Sequence, residues 1–243
     1  MSDARTTFII TCEHGGNTVP ARYRALFRGQ ESVLASHRGH DPGALVMARQ
    51  LARSLGAPLV SSTITRLLVE LNRSPGHRQM FSDMTRGLPP EALAAIVARY
   101  YQPYRSRVEL LVGSAIAAGR RVVHVSSHSF TPALDGVTRN ADVGLLYDPR
   151  RAPERALCAR WKDAVFTLDS TLRVRRNYPY AGKGDGLTKY LRSRFPARRY
   201  IGIELEVNQR IALAGGREWL ALRGVLVEAL RRVCQREKVT EPM

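Results

Sequence analysis

The sequence predicts an α/β sandwich built on a mostly parallel sheet, and three observations predict it. Short β-rich apolar runs alternate with segments whose apolar residues recur every three or four positions. Several of those runs end in histidine, glycine or asparagine, residues suited to the carboxyl ends of strands where open α/β sheets collect ligands. The chain has 243 residues and 44% hydrophobic content, with no repeat, linker or low-complexity stretch, so residues 1–243 read as a single domain.

The elements follow in order. Residues 6–12, TTFIITC, read as a strand that hands the chain to His14, Gly15 and Gly16. Residues 42–56 read as a helix, with Leu45, Val46, Ala48, Leu51 and Leu55 at helical spacing and a stop at Gly56. APLVSSTITRLLVEL, 57–71, suggests a strand and a further strand or extended segment. Residues 91–118 form a long helical pattern in which Pro103 predicts a kink or a break. RRVVHVSSHSF reads as a buried strand, DVGLLYD as another, and ERALCARWKDAVF as a helix. NYPYAGKGDG, 177–186, reads as a loop, RYIGIELEVNQ as a strand, and a last helix starts near Gly216.

Composition excludes several classes. No stretch approaches the roughly 20 apolar residues of a membrane span, and the N-terminus lacks the basic start and apolar region of a secretory signal, so a cytoplasmic location is expected. Cys12, Cys158 and Cys234 form neither a CxxC unit nor a paired framework, which argues against a disulfide scaffold or a thiolate zinc site. The net charge of +17 comes from arginines scattered singly and in pairs, without a basic tail or interleaved aromatics. Weak polyanion affinity follows from such a charge, but no specific nucleic-acid partner and no membrane are expected.

Chemistry concentrates in a few motifs. His14 is either a surface histidine in a strand-to-helix turn or a ligand at a strand end. His124 and His128 are separated by about 13 Å in an extended strand, so one at most can serve a given ion; His128, at the strand's end, is the better placed. Asp41 precedes Pro42 and suits a helix N-cap, but a carboxylate has two oxygens and can serve a metal as well. His14, Asp41 and His128 together would make a two-histidine, one-carboxylate set with a fourth zinc position left for water. Asn72 and Arg73 suit the grip of a carboxylate or form a plain surface loop. Glu204 and Glu206 share one strand face opposite Ile201, Ile203 and Leu205, where carboxylates are costly unless paired or used. The loop carrying Asn177, Tyr180 and Lys183 is either a flexible connection or a cover over the strand ends that helps to hold substrate.

CEHGGNTVP, HDPGA, TRLLVELNRSPGH, HSFTP, VGLLYDPR, NYPYAGKGDGLT and GIELEVNQ occur in the order found in the N-formylglutamate amidohydrolase family, and the chain resembles that family over residues 8 to about 210. The resemblance implies a three-layer α/β/α sandwich with a mostly parallel, mixed sheet, distantly like the zinc carboxypeptidases and aspartoacylase. It implies one zinc ion per chain (other divalent metals can substitute), held by His14, His128 and, because Asn17 stands where carboxypeptidases have glutamate, Asp41. By the same resemblance Glu204 is the general base and Arg66 polarises the scissile carbonyl. Asn72 and Arg73 hold the substrate carboxylate, with Asn177, Tyr180, Lys183 and Glu206 also facing substrate. Glu206 stands where arginine is expected in formylglutamate enzymes. The implied partner is a small N-acyl amino acid such as N-formyl-L-glutamate, an activity of amino-acid and histidine breakdown. A peptide or cell-wall amidase, a carboxypeptidase-like enzyme and a basic nucleic-acid-binding protein are the rival readings.

Overall fold

The computed structural model describes residues 6–236. In chain order it contains β1 (Thr6–Cys12), a 3-10 segment (Ala21–Phe27), α1 (Glu31–Ala35), α2 (Ala44–Leu55), β2 (Leu59–Ser61) and α3 (Pro90–Ile96). A widened π-type segment (Val97–Tyr101) follows, then α4 (Gln102–Ala117), β3 (Arg121–Phe130), β4 (Ala133–Leu134), β5 (Val137–Thr138), β6 (Val143–Leu146) and α5 (Ala152–Leu168). The described residues end with β7 (Val174–Arg176), α6 (Leu187–Arg194), β8 (Tyr200–Asn208), α7 (Gln209–Ala214) and α8 (Gly216–Arg236). Six strands form one sheet in the order β2-β1-β3-β8-β6-β7, and β4 pairs with β5 in a small hairpin. Among the described residues only the β6–β8 pairing in the large sheet is antiparallel.

Strand alternation splits the core in two. Ile10, Val123, Val125, Ile201, Ile203 and Leu205 face α2, α5 and α8, whose Met47, Leu51, Trp161, Leu226 and Leu230 close one layer. Ile9, Val122 and Tyr200 face the other way, against Val108 and Val112 of α4 and Leu187 and Leu191 of α6. The molecule is therefore a three-layer α/β/α sandwich with a mostly parallel, mixed sheet. Trp161 is fully buried and donates its indole N–H to the Leu226 carbonyl at 3.0 Å, so its one polar atom is satisfied inside the core.

Two local expectations take a specific form. Within 57–71 only Leu59–Ser61 joins the ladder. Leu67, Leu68, Val69 and Leu71 are buried without strand pairing, and Thr18 with Ile64 forms an isolated bridge. The helical run 91–118 is divided as Pro103 leads one to expect: the widened segment Val97–Tyr101 separates α3 from α4, and Pro103 falls in the first turn of α4. No helix among the described residues is long and apolar enough to cross a membrane.

Candidate metal centre and active site

The carboxyl ends of β1, β3 and β8 open into a cavity of about 370 Å³ lined by His14, Asp41, Arg66, Asn72, Arg73, His128, Tyr180, Glu204 and Glu206, among others. His14 lies two residues past β1 and His128 near the end of β3, and the two rings stand 4.9 Å apart between centroids. Asp41 comes from the turn before α2. Its backbone N–H donates to the His14 carbonyl at 2.9 Å, and its own carbonyl accepts from Ala44. The N-cap position falls to Gly43, in left-handed conformation, so the Asp41 side chain is released from capping and turns toward the imidazoles. Asp41 Oδ2 lies 2.9 Å from His128 Nδ1 and 3.2 Å from His14 Nδ1.

The surrounding shell is charged and buried. Glu70 Oε1 meets His14 Nε2 at 2.5 Å, and Glu70 Oε2 accepts from Arg66 Nε at 2.7 Å and Nη2 at 2.6 Å. Arg66 Nη1 reaches Asp41 Oδ1 at 3.3 Å. Glu13 Oε2 lies 3.1 Å from His128 Nε2. Burial works to raise the carboxyl pKa values of Glu13, Asp41 and Glu70. Hydrogen bonds and charge from His128 at Glu13, from His14 and His128 at Asp41, and from Arg66 and His14 at Glu70 outweigh it and hold all three low. For Glu206 burial dominates and pushes the carboxyl up to about 8, with Asp41 and Glu204 adding and His128 opposing. His124 sits one layer deeper, with both ring nitrogens engaged (Thr11 Oγ1 at 2.9 Å, Tyr200 Oη at 2.7 Å), and burial pulls its pKa down to about 4.

A metal fits the donor set. Nδ1 of both histidines and one Asp41 oxygen converge, and a set of ligand atoms from the three residues lies within 4.8 Å of one another. A negative oxygen between two imidazole nitrogens is the chemistry of a two-histidine, one-carboxylate site that leaves a position for water or substrate.

Of the remaining expected residues, the cavity brings together Arg66, Asn72, Arg73, Tyr180, Glu204 and Glu206. Glu206 is buried, and its Oε2 has no hydrogen-bond partner. Glu204 accepts from Thr188 at 2.5 Å. Arg73 has its Nη1 on the Asp185 carbonyl at 2.6 Å, while its buried Nε has no partner. Asn72 Oδ1 accepts from Leu187 N at 2.7 Å, which leaves its amide nitrogen as the donor on offer. Asn177 lies away from the cavity lining: its Oδ1 accepts from Tyr147 N and Gly182 N and shapes the loop from within. Lys183 lines a separate groove with Arg150, Arg151, Lys189 and Arg192. Gly15 and Gly16 do not line the cavity; a Cβ on either would stand 2.8 Å from the Ser62 or Thr63 carbonyl, so the pair admits the neighbouring backbone.

Glu70 and Glu13 are the members that sequence reasoning missed. Glu13 had one signal, since a charged residue beside His14 at a strand end is expensive without partners. Glu70, set in LLVELNR, looks like any polar position of a strand.

Fold and site together define an α/β/α hydrolase scaffold with a metal-competent pocket at its strand ends. The chain belongs to the N-formylglutamate amidohydrolase family, whose model matches residues 6–213. That membership marks it as an amidohydrolase-type enzyme. Among solved structures it resembles the gene product Atu2144 from Agrobacterium tumefaciens, with 30% identity, a TM-score of 0.79, and coverage of 97% of this chain and 93% of the other. It shares its fold with the N-formylglutamate amidohydrolase from Ralstonia eutropha JMP134, at 17% identity and a TM-score of 0.67, covering 95% and 94%. A metallo-carboxypeptidase from Burkholderia cenocepacia aligns at 14% identity and a TM-score of 0.37, over 98% of this chain and 58% of that one. No curated protein matches the sequence.

Proposed function

We propose that the protein is a metal-dependent amidohydrolase that cleaves N-acyl, most simply N-formyl, amino acids such as N-formyl-L-glutamate to the free amino acid and a carboxylate. The observation that carries the reading is the convergence of His14 Nδ1, His128 Nδ1 and Asp41 Oδ2 in a cavity also lined by Glu206 and Arg73, whose buried Oε2 and Nε have no hydrogen-bond partner. Zinc is the metal that this donor set suits best, and bound there it would supply Lewis acidity and a water of lowered pKa.

The protein's own groups supply the rest. Glu206 is better disposed as general base than Glu204, the residue favoured by the resemblance. Glu206 is level with His128 in the sheet and has a free oxygen, whereas Glu204 is tied to Thr188. In its ionised form Glu206 takes a proton as water oxygen bonds to the acyl carbon, and it returns the proton to nitrogen as the C–N bond breaks. Arg66 has Nε and Nη2 on Glu70 and Nη1 on Asp41 Oδ1, and the second hydrogens of its two Nη groups are the donors left to stabilise negative charge growing on the acyl oxygen. Arg73 Nε and the Asn72 amide nitrogen grip the amino acid's carboxylate and set the scissile bond in place. Tyr180 closes the mouth, with its hydroxyl accepting from Arg139 at 3.0 Å. Glu204, also in the cavity lining, takes part in the selection of the substrate side chain.

The test is a screen of N-formyl and N-acetyl amino acids with acidic, neutral and basic side chains, followed by release of free amine. Turnover of N-formylglutamate above its neutral and basic counterparts supports the reading. Indifference to every acylated amino acid, with turnover of peptides, would replace it with a peptidase.

A further inference from the structure

Each imidazole that meets Asp41 through Nδ1 has its other nitrogen against a buried carboxylate to which the proposed chemistry gives no task. Around Glu13 the hydrogens can be counted. Tyr104 donates its hydroxyl to Oε1 at 2.8 Å, and Ser126 donates to Oε2 at 2.6 Å. With its hydrogen so committed, Ser126 Oγ offers only lone pairs to His128 Nε2, 2.9 Å away. Glu13 Oε2, 3.1 Å from the same nitrogen, is an acceptor too. Every neighbour of His128 Nε2 is thus an acceptor, and the nitrogen must carry the hydrogen.

Glu70 gives the same count at His14. Oε1 receives the Asn72 N–H at 2.8 Å and Oε2 receives Arg66, so the carboxylate is held ionised by donors and presents lone pairs to His14 Nε2 at 2.5 Å. Glu13 and His14 both lie in the turn just past β1, whose pairing with β3 ends at Thr11 and Ser126; from there the Glu13 side chain reaches Ser126 and His128 on β3, while His14 Nε2 meets Glu70.

We infer that Glu13 and Glu70 are positioning residues. Each fixes one imidazole as the Nε2–H tautomer and aims its bare Nδ1 at the point shared with Asp41 Oδ2, where a divalent cation of imidazole preference would be held. Tyr104 and Ser126 anchor Glu13 as Arg66 and Asn72 anchor Glu70. This inference rests on the metal reading above, and its test separates the two.

Zinc affinity is measured by competition with a chromophoric chelator for the full chain and for Glu13→Ala, Glu13→Gln, Glu70→Ala, Glu70→Gln and Tyr104→Phe. Nitrogen-15 spectra of the histidine rings of the zinc-loaded wild type and the melting temperatures of the metal-free proteins accompany it. Each alanine variant is expected to weaken zinc binding about 10–100-fold. The glutamine variants should lose less, because an amide oxygen still accepts from Nε2–H, and the wild-type spectrum should show His14 and His128 protonated at Nε2. A purely structural role would lower the melting temperature and leave affinity and tautomer alone. If Glu13→Ala does not fold, Glu70→Ala, Tyr104→Phe and the wild-type spectrum decide. Zinc bound equally by folded alanine variants, or rings protonated at Nδ1, would overturn the inference alone. A wild type that takes no zinc would overturn the metal reading and this inference with it.

Discussion

Glu206 lies directly across the parallel β3–β8 ladder from His128, so a carboxylate with a free oxygen stands beside a metal-competent imidazole on the cavity side of the sheet. Two residues earlier on the same face, Glu204 pairs with Ser126 in the ladder and takes the Thr188 hydroxyl. The two glutamates thus have different surroundings despite equal orientation, and kinetics can tell them apart.

Glu206→Gln is expected to lower kcat by roughly two to four orders of magnitude while zinc content is unchanged. Glu204→Gln should retain most of its kcat and alter the preference among substrate side chains. Steady-state kinetics with matched metal analysis checks both. A dead Glu204→Gln beside an active Glu206→Gln would move the base one rung down the strand.

Arg73→Ala is expected to raise KM about 10–100-fold, the loss of one charge-assisted hydrogen bond of about 1.5–3 kcal/mol. Its kcat should fall less, since positioning rather than proton transfer is removed. An Arg73→Ala variant with normal KM would show that the buried Nε serves something other than substrate.

Tyr180→Ala is expected to raise KM about 3–10-fold, on the scale of one neutral hydrogen bond or ring contact. Lys183→Ala should leave kcat and KM unchanged, because Lys183 lines the groove on the other side of the loop. Equal effects from the two variants would mean that the loop acts as a unit, without a contact of its own.

Arg105 is buried between Tyr101 and Tyr190, 5.5 Å and 4.7 Å from the ring centres, and donates to the Leu71 carbonyl at 3.1 Å. The widened segment before α4 sets Tyr101 where its hydroxyl donates to the Arg73 carbonyl at 2.8 Å. Arg105→Ala is expected to cost about 2–4 kcal/mol of stability through lost stacking and an unpaired carbonyl. Denaturant unfolding measures the cost, and KM should rise as Asn72 and Arg73 loosen. Undiminished stability would show that the Tyr pair holds this loop without the guanidinium.

Most of the framework was legible. TTFIITC, RRVVHVSSHSF and RYIGIELEVNQ carry enough consecutive apolar residues to be buried strands, and their carboxyl ends bring His14, His128, Phe130, Glu206 and Gln209 to the cavity. His14, Asp41 and His128 were legible as types and places. What escaped depends on contacts remote in sequence. LLVEL reads as a further strand or an extended segment, and only the packing of Leu67, Leu68 and Leu71 beneath the helices makes it a buried irregular segment with a turn. Glu70 became visible once that segment placed it against His14, 56 residues away in the chain. Asn177 and Lys183 sit on the expected loop, but its fold turns Asn177 inward and Lys183 away, which no local pattern encodes.

The most direct test of a metal-dependent amidohydrolase is a titration of activity against bound metal. Protein stripped with a chelator should release no amine from N-formyl-L-glutamate. Zinc should restore turnover in proportion up to one equivalent per chain, and Asp41→Ala, lacking the oxygen shared by both Nδ1 atoms, should fail to recover at that stoichiometry. Full turnover by stripped protein, or recovery of Asp41→Ala with one equivalent, would contradict the account.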